Sequence, residues 1–242
     1  MGSPLAGRSG ELQRACKTSV YVFPQVGVPT ITADFVPEEI TATTAASGAT
    51  ALTVSALPDK ILKGTVLQFI DPNDISYIAK VNADAAAAAV SLTTLPLMEA
   101  IPTGAIATWP IEIMDRTDLT INESMNTQNL QTFNSSCTKM IVALTGEWSV
   151  EIPGPLVIRN AGYFTATYFG RLGQPLWFLF VLEQASQDQA KITPLMYYGQ
   201  GYVTQFNKEN PADNFRNANL TISGTGELFE VFPENIPVVG PP

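Results

Sequence analysis

The chain has 242 residues and no histidine, which rules out Ser-His, Cys-His and histidine-zinc chemistry at once, because each of these depends on an imidazole. Its formal net charge of -9 argues against a surface that grips phosphates, since nucleic-acid binders hold the backbone with clustered Lys and Arg. Only 14% of residues are charged while 45% are hydrophobic, against ~25% charged in an average soluble protein, so many surfaces are expected to be neutral or buried against other chains.

The residues up to about Arg14 are polar, contain Gly and Pro, and show no periodicity; they read as an arm that orders against a neighbour. No signal-peptide-like apolar run is present, and "MGSPLA" lacks the hydroxyl residue of a myristoylation signal, so the expectation is a protein kept in a cytoplasm. Cys16 and Cys137 are too far apart in sequence to suggest a disulfide framework and are expected to be reduced small hydrophobes.

From Ile40 to Trp109 the composition shifts to Ala, Thr, Ser and Val, and an internal echo emerges. "LTVSALPDKILKGTVLQF" (Leu52 to Phe69) matches "VSLTTLPLMEAIPTGAIATW" (Val90 to Trp109) in its alternating start, its Leu-Pro, its Ile-x-x-Gly and its closing aromatic, with a two-residue gap. The echo predicts two strand-turn-strand units joined through "ISYIAKV" as a further strand, too few copies for a solenoid and fitting a small β-sandwich or barrel. "DPNDIS" (Asp71 to Ser76) lacks the glycine and distal Glu of a calcium loop and reads as a hairpin turn. Ala85 to Ala89 reads as a turn or strand entry.

In "KMIVALTGEWSVEI" the residues Met140, Val142, Leu144, Trp148, Val150 and Ile152 alternate with Thr145, Glu147, Ser149 and Glu151, the period of two of a half-buried strand. One convincing helix begins at an Asn160 N-cap, places Ala161, Phe164, Tyr168 and Leu172 on one face, and stops at Gly173 before Pro175. "PLWFLFVLEQ" is too short to span a bilayer as a helix and reads as a strand buried on both faces. In "NLTISGTGELFEV" (Asn219 to Val231), Leu220, Ile222 and Leu228 share the core side with Gly224 and Gly226. Two glycines within a strand imply either the close approach of an aromatic or of the helix, or a β-bulge.

Chemical motifs are scarce. No nucleophile elbow, phosphate-binding loop or paired metal-ligand spacing occurs, and "SGTGEL" lacks the third glycine and following helix of a dinucleotide site. Glu147 and Glu151 face the same way on a strand, as a glycosidase pair would, but their Ser and Thr neighbours mark them as solvated acids. The expectation is a non-enzyme with no catalytic residue, cofactor or metal.

The ordered series "FNSSCTKMIVALTGEWSVEIPG", helix, "GQPLWFLFVLEQ" and "GQGYVTQFNKENPADNFRNANLTISGTGELF" resembles the major tail tube protein family of tailed bacteriophages. The resemblance covers about the last half of the chain, Phe133 to Phe232, and rests on the order and spacing of its motifs. It implies a mainly β (α+β) fold: a tail-tube-type β-sandwich or barrel with one flanking helix, here with an inserted small β-sandwich or barrel module. Residues 1–39 would supply the arm and the first part of the core, 40–109 the module, and 110–242 the main core. The resemblance further implies homo-oligomeric hexameric rings stacked into a tube that carries DNA without binding it specifically. Sheath, tape measure and tail terminator proteins would be partners, with no membrane involved, and the chain would reside in the virion tail after assembly in the host cytoplasm.

Glu147, Ser149 and Glu151 become the lumen-facing candidates. The Asp118 to Gln131 stretch, with Asp118, Asn122, Glu123 and Asn126, becomes the ring-stacking candidate together with Met1 to Gln25. The module would either decorate the tube or touch a sheath. Two alternatives stand beside this reading: another virion β protein, for capsid decoration or receptor binding, and the tube protein of a related bacterial contractile injection or secretion system.

Overall fold

A computed structural model describes residues 18–24, 27–32, 35–113, 119–130, 140–155, 159–182, 195–209 and 217–231, except for the side chains of 125–130, 140–145 and 208–209. The fold is mainly β and antiparallel, with one helix among the described residues. A seven-stranded sheet holds β1 (Thr18–Phe23), β8 (Ile111–Glu112), β9 (Thr120–Leu130), β10 (Met140–Ile152), β11 (Leu176–Leu182), β12 (Leu195–Glu209) and β13 (Asn217–Val231), in the order β8-β1-β11-β12-β13-β10-β9. The apolar run at 176–182 sits inside this sheet between β1 and β12, with Leu176 to Phe180 all buried, as a strand covered on both faces should be.

One face of this sheet is core. Val20 and Val22 of β1, Phe178 and Phe180 of β11, Val203 of β12, Leu220 and Ile222 of β13, and Val150 and Ile152 of β10 belong to one buried cluster. The other face is apolar towards β1 and β11, where Phe23, Trp177, Leu179 and Met196 form a second cluster.

Between β1 and β8 the chain builds a second unit. A four-stranded sheet has the order β2-β7-β4-β5, from β2 (Glu38–Thr41), β7 (Ile106–Trp109), β4 (Val66–Ile70) and β5 (Ser76–Lys80); β3 (Ala51–Thr53) pairs with β6 (Ser91–Thr93). The echo seen in the sequence is therefore structural, but it runs without the expected gap. Leu52 pairs directly with Leu92, and the bridge Ala45 to Ile101 has its counterpart in Ala85 to Ile61, each residue shifted by the same step along the chain. Gly48 and Ala88, both with positive φ, occupy equivalent turns.

The two copies exchange partners throughout. The amide of Leu57 bonds the Ala89 carbonyl while that of Leu97 bonds the Ala49 carbonyl, and Val54 to Val90 is matched by Thr94 to Thr50. Strand order β2-β7-β4-β5 reads the same when the copies are swapped, so β5 is the second copy's equivalent of β2 and not merely a connector. "DPNDIS" forms the β4-β5 turn as expected: Asp71 Oδ1 accepts the amides of Asn73 (2.8 Å) and Ile75 (2.9 Å).

The helix α1 (Ala161–Arg171) begins where the sequence places it, with the Asn160 side chain accepting the Tyr163 amide at 2.9 Å. Its buried side runs through Tyr163, Ala166 and Phe169, whereas Leu172, expected on the packed face, is 54% exposed. The reason is packing from two directions: α1 touches β1, β8 and β12 of the large sheet and β4 of the inserted unit. Thr165 Oγ1 fixes the second contact, accepting the Val66 amide (2.9 Å) and donating to the Val66 carbonyl (3.2 Å). The strip left to solvent carries Phe164 and Tyr168, half-buried, with Arg171 and Leu172.

Candidate functional site

Directly opposed residues of an antiparallel sheet share a face. The register places Asn122 of β9, Ser149 of β10, Ser223 of β13 and Tyr202 of β12 in one row, and Thr120, Glu151, Thr221 and Gln205 in the next. On the reverse face the row Ile121, Val150, Ile222 and Val203 points into the core. The alternation read from the sequence thus resolves into an apolar and a wet face, Glu147 and Glu151 being exposed and Ser149 half-buried. Thr204 Oγ1 knits the wet face, donating to the Thr221 carbonyl (3.3 Å) and lying 3.1 Å from Ser223 Oγ.

The four ring-stacking candidates separate. Asn122 lies opposite Ser149 on the wet face, whereas Glu123 lies opposite Trp148 and so belongs to the other face. Asn126 pairs with Thr145 by backbone register, and Asp118 lies outside the described residues.

Among its described side chains, charge on the seven-stranded sheet has one sign. Its described side chains include Glu112, Glu123, Glu147, Glu151, Glu227 and Glu230, and no Lys or Arg. The cations with described side chains, Lys60, Lys63, Lys80, Arg159 and Arg171, all sit on the inserted unit, on α1 or beside its start. Burial, with Glu230 alongside, raises the Tyr197 hydroxyl above its ordinary range.

The sheet also forks. β10 pairs with β13 only from Ser149 to Ile152; towards Met140 it continues with β9 alone, while β13 continues with β12 as far as Val231. A cleft of about 660 Å³ opens between the two hairpins, with Glu123, Glu147 and Glu227 on its walls. Trp148 stands at its head and its Nε1 donates to the Gly226 carbonyl at 3.2 Å. The two glycines questioned in the sequence do different jobs. A Cβ at Gly224 would fall inside the Trp148 ring, whereas Gly226 has φ +87° and open space around it, at the point where the β12-β13 register slips. Sequence reading missed that Gly199 and Gly201 of β12 join the same seat, a Cβ at Gly199 standing 2.6 Å from the indole; the paired Gly-x-Gly in β12 and β13 was the available signal.

Among the described residues no group of three or more His, Cys, Asp or Glu is placed to hold a metal ion, and no helix is long and apolar enough to cross a membrane. Cys16 and Cys137 lie outside the described residues.

Neither a protein-family model nor a curated protein matches the sequence. Among solved structures, the chain is similar to one in the virion of a native gene transfer agent particle, with 11% identity, a TM-score of 0.39, and coverage of 50% of this chain and 87% of that one. It is also similar to a chain in the tail of an empty gene transfer agent particle with C6 symmetry, with 12% identity, a TM-score of 0.38, and coverage of 52% and 86%.

Proposed function

We propose that the chain is a structural subunit of a bacteriophage tail tube, forming stacked hexameric rings whose bore conducts DNA. The observation that carries this reading is the wet face of β9, β10, β12 and β13. Beyond the apolar area that Met196 and Tyr198 share with β1 and β11, its rows Asn122, Ser149, Ser223, Tyr202 and Thr120, Glu151, Thr221, Gln205, with Glu147 alongside, carry hydroxyls, amides and carboxylates and no Lys or Arg. Such a wall repels phosphates at long range and offers them no cation to hold.

Two further features support assembly. β9 is an 11-residue border strand, and a border of that length is an open template that pairing with a neighbouring copy would cover. The tail tube resemblance of residues 133–232 covers β10, β12 and β13 of this face. In this reading residues 1–39 and 110–242 form the tube core and 40–109 a module on it. Glu147, Ser149 and Glu151 line the bore, and Asp118, Asn122, Glu123 and Asn126 lie at the contact between rings. The chain is not an enzyme and resides in the virion tail.

Negative-stain electron microscopy of the purified protein tests the reading: rings or tubes with a sixfold end view are expected. A species that stays monomeric at every concentration and ionic strength would overturn it.

A further inference from the structure

The cations with described side chains are not scattered over this acidic chain. Four of the five with described side chains surround one ring, that of Tyr168 on α1. On one side a cavity of about 460 Å³ is lined by Lys60, Lys63, Asp84 and Leu172; on the other a cavity of about 330 Å³ is lined by Lys80, Phe164 and Arg171; Tyr168 is common to both. The ring is held from beneath, because a Cβ at Gly64 would run into it.

Only one of these cations has a carboxylate partner among the described residues: Lys60 Nζ lies 3.3 Å from Asp84 Oδ2. Asp84 is already engaged by the Lys63 amide, which holds its carboxyl below the usual range. Lys80 Nζ instead lies 4.2 Å over the Tyr168 ring, and the Arg171 guanidinium 5.3 Å over Phe206. Aromatic faces position such groups while leaving their charge unneutralised. Beside them stand Leu172, largely exposed, and Phe164, half-buried.

We propose that this groove, running along the C-terminal half of α1 between the helix and the inserted unit, docks an acidic segment of a partner protein. Cations on both sides of a central ring match carboxylates spaced along an extended peptide, and Leu172 and Phe164 suit an apolar residue between them. A long polyanion such as a nucleic acid fits less well, because a chain of net charge -9 repels it at a distance, whereas a short acidic segment meets chiefly the local cations. The surface borders β12 but includes none of the carboxylates of the large sheet, and it stands whether or not the chain builds a tube.

The test uses the full-length chain and a fluorescein-labelled Glu-rich peptide of about a dozen residues with one central Leu, followed by fluorescence anisotropy at low ionic strength. Saturable binding is expected, weakened about tenfold or more by Lys63→Glu with Arg171→Glu. The milder pair Lys63→Gln with Arg171→Gln should give a smaller loss, with a thermal melt showing both variants folded. Carbodiimide coupling of the peptide should map to Lys60, Lys63 and Lys80. Absence of saturable binding, equal affinity in the variants, or coupling confined to other lysines would overturn the proposal. So would displacement of the peptide from these lysines by a single-stranded oligonucleotide at lower concentration, which would make the groove a phosphate surface.

Discussion

The indole of Trp148 occupies the space in which a side chain at Gly224 would stand. The contact joins the two hairpins of the large sheet at the point where they part, and it is reinforced by the Trp148 to Gly226 hydrogen bond and an edge-on contact with Phe180 at 6.3 Å. Gly224→Ala should therefore destabilise by about 1–3 kcal/mol through overpacking, and Trp148→Ala by about 3–5 kcal/mol through loss of a buried aromatic. Because each change alters the other's surroundings, the double variant should be clearly less destabilised than the sum of the singles. Urea unfolding of the four proteins of the cycle measures this, and strict additivity would contradict the contact.

Gly226 makes a different demand. Its φ of +87° is costly for a residue with a Cβ, although nothing obstructs that atom. Gly226→Ala should cost about 1–2 kcal/mol, and Gly226→Asn less, since Asn tolerates left-handed backbone better. Equal midpoints for all three proteins in denaturant unfolding would remove the conformational explanation.

At the β4-β5 turn, the Asp71 carboxyl is held below its ordinary value of 3.8, first by the Ile75 amide and also by the Asn73 amide, the Asn73 side chain and the Tyr77 hydroxyl. A depressed carboxyl stabilises the fold above its unfolded pKa, and that contribution disappears as pH falls through the lower folded value. Asp71→Asn should thus be less stable than the parent at neutral pH and at about pH 5, with the gap closing only below 3.8. Melting temperatures across that range decide the matter; a gap that closes between neutrality and pH 5 would point to another group.

If Glu147 and Glu151 line a bore as proposed, replacing both by Lys reverses two exposed charges there without touching buried Val150 and Ile152. Assembly into rings should persist, while DNA delivery by particles carrying the variant should fall because phosphates gain cations to hold. Plaque formation together with ejection assays on purified particles reads the effect. Full activity of the variant would remove these residues from the lumen.

How much of this could be read beforehand depended on sequence distance. The Asn160 cap and the alternation through Glu147 to Ile152 depend on neighbours a few residues away, and the structure has them where the sequence implies. The face predicted for α1 holds in part: Ala161 is buried and Phe164 and Tyr168 pack against the core, while Leu172 turns to solvent, because two surfaces, β12 and β4, flank the helix and its own periodicity does not report both. Gly224 pointed to a close approach, yet naming Trp148 required the β10-β13 register. The halves of the inserted unit were recognisable as relatives, but their exchange of partners rests on pairings such as Ala45 with Ile101, which no local signal encodes.

That exchange has a mechanical consequence. Neither half owns a complete set of strand partners, since β2 leans on β7 and β5 on β4 across the copies. Cutting the turn at its exposed residues, Pro72 to Ile75, would leave two fragments clasped together like linked hooks, co-eluting until denatured. A side chain on the approximate dyad, such as Leu52 against Leu92, serves both halves at once, so a flaw there would loosen the whole unit rather than one lobe of it.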